Sequence, residues 1–330
     1  MKKNILLLIL IVNILYTQLI GCASAEEQEE RKITIAVSMI GETHKWPIGV
    51  QYYAEKEIKE IAEENGWNYL YVVGEDSTEQ SNQVIDMVRQ KVDCIIMLPM
   101  DGASLKTAAM AVQDANIPLV IFDREIPDFA PTATVKGDNV GIGVMTADIF
   151  NGMFPDGTKV LEIMGDTSTV PQQRTDGFDQ TIHSNFTKEQ VSFTGWNRDK
   201  TKEIFKEWAS SHTQDEIDEV QAIFTHDDEI ALGVLDALDE YADDTEKVVS
   251  FDNLKVIAGS AGDQEMYRRI DTETKYTLFS LTYSPAMICT AIRIGEKIIK
   301  GEDYDEMTVI STVEVNKRNV DSYIDPNAPY

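Results

Sequence analysis

From Ile33 to Asp252 the chain repeats one rhythm. A short apolar run is followed by a longer stretch in which apolar residues return every three or four positions. The runs are ITIAVS (33–38), YLYVV (69–73), CIIMLP (94–99), PLVIFD (118–123), KVLEIMG (159–165), QAIFTH (221–226) and KVVSFD (247–252). Apolar runs of this length without strict alternation predict strands buried on both faces. The stretches between them predict amphipathic helices. In YYAEKEIKEIAEENG, Ala54, Ile58, Ile61 and Ala62 share one face and Gly66 marks the stop. TEQSNQVIDMVRQK and GASLKTAAMAVQDAN follow the same plan, and DEIALGVLDALDEY opens on carboxylates, which suit a helix N-terminus.

Strand–helix alternation repeated this often predicts an α/β fold of parallel sheets covered by helices. The units are too many for one compact sheet. A break falls near TATVKGDNVGIG (132–143), where the chain runs extended and then starts a helix. Two doubly wound parallel-sheet lobes are therefore expected, with right-handed crossovers.

In open parallel sheets, ligands bind beyond the carboxyl ends of the strands, and here those ends are rich in polar chemistry. The first leads into SMIGETHKWP, with Glu42, His44 and Trp46. The fourth delivers Asp123 and Arg124, and the strand near 165 leads to Arg174. FTGWNRDK carries Trp196 and Asn197, THDD carries Asp227 and Asp228, the run ending at 252 carries Asp252, and TLFSLTYSPAM carries Tyr283. Carboxylates, guanidinium groups and an amide beside indole rings suit a polyhydroxylated guest. Asp and Asn bond the hydroxyl rim, Arg forks hold neighbouring oxygens, and an indole covers a C–H face. The bland readings are an Asp123–Arg124 pair, a surface ion pair for Arg174, a helix cap for Asp227 and a core ring for Trp196.

The segments ANIPLVIFDR, DNVGIG, RTDGF, THDDEIALGVLDAL, VVSFDN, LTYSPAM and IIKGE, in that order, make the chain similar to the sugar-binding proteins of ABC importers, in the ribose/galactose group of type I periplasmic binding proteins. The resemblance runs from about Ile33 into the C-terminal region. It implies a ligand set of Asp123, Arg124, Arg174, Asp227 and Asp252, with Tyr283 where ribose binders carry glutamine. Trp46 lies in the region of the family's stacking aromatic pair, with His44 or Glu42 as the alternative contact, and Trp196 or Asn197 is the contact from the second lobe. Asp138 and Asn139 are expected to be structural, at the start of a helix. The resemblance further implies an N-terminal lobe of 33–137 plus about 284–307 and a C-terminal lobe of 138–283 plus about 308–330. A multi-strand hinge joins them, and there is no chemical step and no cofactor. The expected function is capture of a monosaccharide or related polyol between the lobes and delivery to the membrane permease of an ABC importer. The alternative is a ligand-sensing partner of a membrane histidine kinase or chemoreceptor. A more distant option is an enzyme with Asp227 and Asp252 as an acid–base pair.

The N-terminus decides where this happens. Lys2 and Lys3 precede the unbroken apolar run Ile5–Val12, and further apolar residues follow to Ile20, as in a secretion signal. A retained anchor is the other reading, with Asn13, Thr17 and Gln18 against it. LIGC (19–22) resembles the lipobox of bacterial lipoproteins. That resemblance implies a signal peptide over 1–21, lipidation of Cys22 and a polar tether over 22–32, so that the protein stands on the outer face of the plasma membrane, or faces the periplasm where an outer membrane exists. Cys94 and Cys289 sit in apolar runs and are expected to be free thiols. The formal net charge of −28 argues against nucleic acid, which needs basic patches. It also disfavours electrostatic binding to anionic lipid. Four scattered histidines suggest no metal site.

Overall fold

The computed structural model describes residues 31–41, 44–243, 249–328 and 330. The signal peptide, Cys22, most of the tether and Glu42 lie outside the described residues. After β1 (Thr34–Ile40) the chain alternates α1 (Lys45–Asn65), β2 (Asn68–Gly74), α2 (Ser77–Gln90), β3 (Cys94–Met97), α3 (Gly102–Asp114) and β4 (Leu119–Phe122), then enters β5 (Ala133–Gly137). Local chemistry sets these boundaries. Asp76 and Asp101 each accept hydrogen bonds from two backbone N–H groups at the start of α2 and α3, and Gly66 closes α1 in the left-handed conformation that glycine adopts without penalty.

The second half continues with α4 (Asn139–Met153), β6 (Lys159–Ile163), α5 (Thr169–Thr181), β7 (Thr187–Val191), α6 (Arg198–Ser211) and α7 (Gln214–Asp218). Then come β8 (Val220–Thr225), α8 (Asp228–Asp243), β9 (Val256–Ala261), α9 (Gln264–Thr272) and β10 (Thr277–Thr282). The chain finishes with α10 (Ile288–Lys300), β11 (Met307–Ile310) and β12 (Glu314–Asn316).

Among the described residues the strands form two sheets of six, ordered β11-β5-β4-β3-β1-β2 and β12-β10-β9-β8-β6-β7. All pairings are parallel except β12 with β10. The chain passes from one sheet to the other three times: after β5, after β10 and after β11. Helices α1 and α10 cover one face of the first sheet, with α2 and α3 on the other. The largest apolar cluster runs through strands of both sheets and the helices over them, from Ile35, Val37 and Phe122 to Phe178, Phe224 and Phe279. Burial of this kind stabilises by roughly 25 cal/mol per Å² of apolar surface.

The α/β architecture is as the periodicity predicts, but one strand is displaced. Residues 249–252 of KVVSFD form no strand, and the strand is VIAGSA, six apolar or small residues fully buried. VVSFD carries the stronger β-branched signal, yet tertiary packing selects the run of small residues that slots between β8 and β10. Cys94 and Cys289 are free thiols, the first buried and the second half-buried.

Helices α4 and α5 approach closely enough that Gly143 lies against the Arg174 carbonyl and Gly177 against the Val140 carbonyl. A methyl group at either position collides with backbone. Gly143→Ala is therefore expected to cost about 1–3 kcal/mol, checked by urea denaturation, and to displace α5, the helix that carries Arg174.

Candidate functional site

The carboxyl ends of both sheets converge on one small cavity, lined by His44, Trp46, Asp123, Arg124, Val170, Arg174, Trp196, Asp227, Ala261 and Tyr283. Most wall residues follow a strand end or lie near a helix start, and Arg174 lies in the second turn of α5. Asp123 follows β4, Trp46 lies in the first turn of α1, Asp227 follows β8, Ala261 ends β9, and Tyr283 follows β10. Three of them hold backbones that non-glycine residues rarely adopt: φ is +67° at Asp123, +60° at Trp196 and +143° at Ala261. Such conformations cost about 1–3 kcal/mol each and persist where surrounding packing over-determines them, typically around ligand sites. Trp196 keeps its pose because its ring lies on Gly165, where any side chain would collide.

Arg174 is the most constrained polar group, at 2 % exposure. Its Nε donates to Asn139 Oδ1 at 3.0 Å. Its Nη1 donates to Ser260 Oγ at 2.8 Å and to the His226 carbonyl. The guanidinium stacks over Tyr283, 4.8 Å from the ring centroid, and lies 5.8 Å from that of Trp196. Tyr283 ties the site together. Its hydroxyl donates to Asp123 and receives the Asn139 amide at 3.1 Å, and its carbonyl receives the Trp46 indole N–H at 2.9 Å. Arg124 donates to the Met100 carbonyl and pairs with Asp166 at 3.4 Å across the gap between the sheets. His44 and Trp196, from opposite sheets, stack at 6.1 Å.

Burial governs the charge states. It raises the Asp123 carboxyl despite the Tyr283 hydroxyl, Arg124 and Arg174. It raises Asp227 well above the carboxylate range, with Asp228 and Glu229 adding to the effect. Burial and the Arg124 charge lower His44 to about 3, leaving a neutral imidazole. Asp166 works against the same desolvation but is held low by Arg124 and Ser168. The wall thus offers two guanidinium groups, two carboxyls able to bond hydroxyl groups, and aromatic faces. Among the described residues no group of three or more His, Cys, Asp or Glu is arranged to hold a metal ion.

A family model described as a periplasmic binding protein domain matches residues 35–303. The chain belongs to the periplasmic binding protein family. It is 27 % identical to the ribose import binding protein RbsB of Bacillus subtilis, over 72 % of this chain and 75 % of that one. It is 23 % identical to a xylitol-binding protein of Mycolicibacterium smegmatis, over 84 % and 74 %. In fold it matches an ABC transporter solute binding protein from Bacillus halodurans with bound myo-inositol, with a TM-score of 0.76, 21 % identity, and coverage of 92 % of this chain and all of that one. These relatives are solute-binding proteins of importers and not enzymes, and the periplasmic binding protein family works outside the cytoplasm.

Within this periplasmic binding protein the structure brings His44, Trp46, Asp123, Arg124, Arg174, Trp196, Asp227 and Tyr283 together. Asp227 also caps α8, its Oδ1 accepting the Ile230 N–H at 2.8 Å. Two expected residues stand elsewhere. Asn197 is exposed and caps α6 through the Lys200 N–H. Asp252 sits at the amino edge of the second sheet, its side chain 83 % exposed. Because the strand is 256–261, the residue at its carboxyl end is Ala261 and not Asp252, and an Asp227–Asp252 acid–base pair does not exist. Sequence reading missed Val170, Ala261, Asp166, and the Asn139–Ser260 pair that holds Arg174. Locating the VIAGSA strand would have exposed Ala261 and Ser260.

Below the cavity floor, Glu162 is fully buried and accepts from Thr175 (2.6 Å), Gln190 (2.6 Å) and His226 Nε2 (3.0 Å), with Lys188 at 2.8 Å. Burial opposes its ionisation, but these donors and the Lys188 charge outweigh it and hold the carboxyl at about 2 against an ordinary 4.5. Its folded value is depressed, so the stabilisation is complete above pH ~4.5 and is lost as pH falls toward 2. Roughly 3 kcal/mol should disappear over that window. Thermal melts between pH 2 and 6 check this, and Glu162→Gln should remove that part of the acid dependence.

Proposed function

We propose that the protein captures a monosaccharide or related polyol in this cavity and hands it to the membrane permease of an ABC importer. The observation that carries the reading is the makeup of the wall: Arg124, Arg174, Asp123 and Asp227 converge from two sheets, with Trp46, Trp196 and Tyr283 between them. A hydroxyl donates to a carboxyl oxygen and accepts from a guanidinium N–H, while indole faces exclude water from the C–H surface. The two sheets with their helices act as lobes that close by hinging at the three crossings, and a guest touching both favours the closed state. Cys22 carries the lipid, the polar stretch after it is the tether, and the anchored protein faces outward beside its permease. Relatives that include ribose, xylitol and myo-inositol binders support the same class of guest.

A thermal-shift screen of pentoses, hexoses, inositols and linear polyols, followed by calorimetry, tests the reading. At least one should bind. Arg174→Ala should weaken that guest by roughly 100-fold or more, as expected when a buried hydrogen-bonded cation is removed. Asp252→Ala should change affinity by less than about twofold, because a surface substitution away from the site is near-neutral. Failure of every sugar and polyol to bind overturns the reading.

A further inference from the structure

The two sheets also meet outside the cavity. Lys45, in the first turn of α1 on the first sheet, places Nζ 2.8 Å from Glu229, 3.3 Å from Glu265 and 3.4 Å from Asp263. The three carboxylates belong to the second sheet's helices, Glu229 opening α8 and Asp263 and Glu265 opening α9. Their surroundings are acidic, with Asp227 and Asp228 adjacent in sequence to Glu229. Arg198 is the cation on that side, and it is spent on Asp236 and Glu265, at 2.6 and 2.7 Å. Among the described residues Lys45 is the cation within 4 Å of Glu229 and of Asp263, whose side chains are 8 % and 3 % exposed. Lys45 does not line the cavity.

Tyr330 occupies the same junction. It is 7 % exposed and packs against Gly49, one helical turn along α1 from Lys45, and its phenol is raised by burial and by the charges of Asp263, Asp227, Asp228 and Glu229. Its hydroxyl is buried without a hydrogen-bond partner, so its contribution is packing rather than a bond.

We propose that Lys45, with Tyr330 packed at the same junction, is a latch that holds the two halves together and sets guest affinity from outside the cavity. The inference rests on the reading that the guest sits between halves that open and close. Opening separates Lys45 from Glu229 and Asp263 and leaves those carboxylates crowded by their acidic neighbours without a cation. The closed fraction therefore depends on Lys45, and apparent affinity scales with that fraction. The lysine is part-exposed, so the pairing falls between a surface pair and a fully buried one. About a tenfold effect is expected, carried by faster dissociation.

The test compares wild type with Lys45→Met, Lys45→Arg, Tyr330→Ala and Tyr330→Phe. Dissociation constants and rates for D-ribose, xylitol and myo-inositol are measured at about 20 and 500 mM NaCl. In parallel, Glu125→Cys and Gln173→Cys are introduced in a Cys289→Ser background. Their native side chains bond at 3.1 Å across the same gap, and the rate of cross-linking by a short bis-methanethiosulfonate reagent, in which each cysteine thiolate displaces methanesulfinate, reports closure without guest. The latch predicts affinity about tenfold weaker and slower cross-linking in Lys45→Met, and a salt dependence that is flattened relative to wild type. Tyr330→Ala should move in the same direction, and Lys45→Arg and Tyr330→Phe should stay within about threefold of wild type. Unchanged affinity and unchanged cross-linking in Lys45→Met overturn the latch. If none of the three probes binds, cross-linking alone decides: slower closure in Lys45→Met supports the latch and an unchanged rate overturns it, while the guest assignment is judged by the wider screen.

Discussion

A guanidinium group almost sealed from water is costly unless every side of it is answered, and Arg174 is such a group. Its partners come from separate places in the chain: Asn139 at the start of α4, the His226 carbonyl after β8, Ser260 on β9 and the Tyr283 ring after β10. None of these positions can drift without stranding the cation. The requirement extends downward, because His226 is itself held through Nε2 by Glu162, and Glu162 by Thr175, the residue after Arg174. The second half of the molecule is therefore a closed circuit of buried polar groups in which each side chain fixes the next.

Tyr283 links that circuit to the first sheet. It follows the strand from which the chain returns to the first half, and its hydroxyl and carbonyl bind Asp123 and the Trp46 indole. Gly137, at the end of the strand before the first crossing, has no side chain because the Tyr283 ring fills that space. The residue that shapes the cavity thus sits where the two halves are connected, so a change in the angle between them is felt at the aromatic wall and at Asp123 together. The wall residues in left-handed or strained backbone, Asp123, Trp196 and Ala261, are consistent with a site that keeps its groups poised before a guest arrives.

Membership of the periplasmic binding protein family accounts for the architecture, and a set of polar contacts ties the two halves together. Arg124 with Asp166, Gln173 with Glu125 and Lys45 with its three carboxylates all cross from one half to the other. On a chain of such negative charge, a cation at that boundary does more than neutralise a partner. It offsets repulsion that otherwise favours separation.

The sequence alone determined the layered α/β plan, because apolar runs and three-to-four spacing are one-dimensional consequences of burial in strands and helices. It also determined most of the wall, since Asp123, Arg124, Arg174 and Asp227 directly follow legible strands or sit in recognisable segments. It misplaced Asp252 and Asn197 for different reasons. VVSFD and VIAGSA are both plausible strands, and only the slot between β8 and β10 chooses between them. Asn197 is equally suited to a pocket and to a helix cap, and only the direction of α6 assigns it. Tertiary structure alone decided the partners of Arg174, the mate of Arg124 and the meeting of Lys45 with residues about two hundred positions away. Contacts of that separation follow from how two sheets face each other, and no local pattern of residues encodes that orientation.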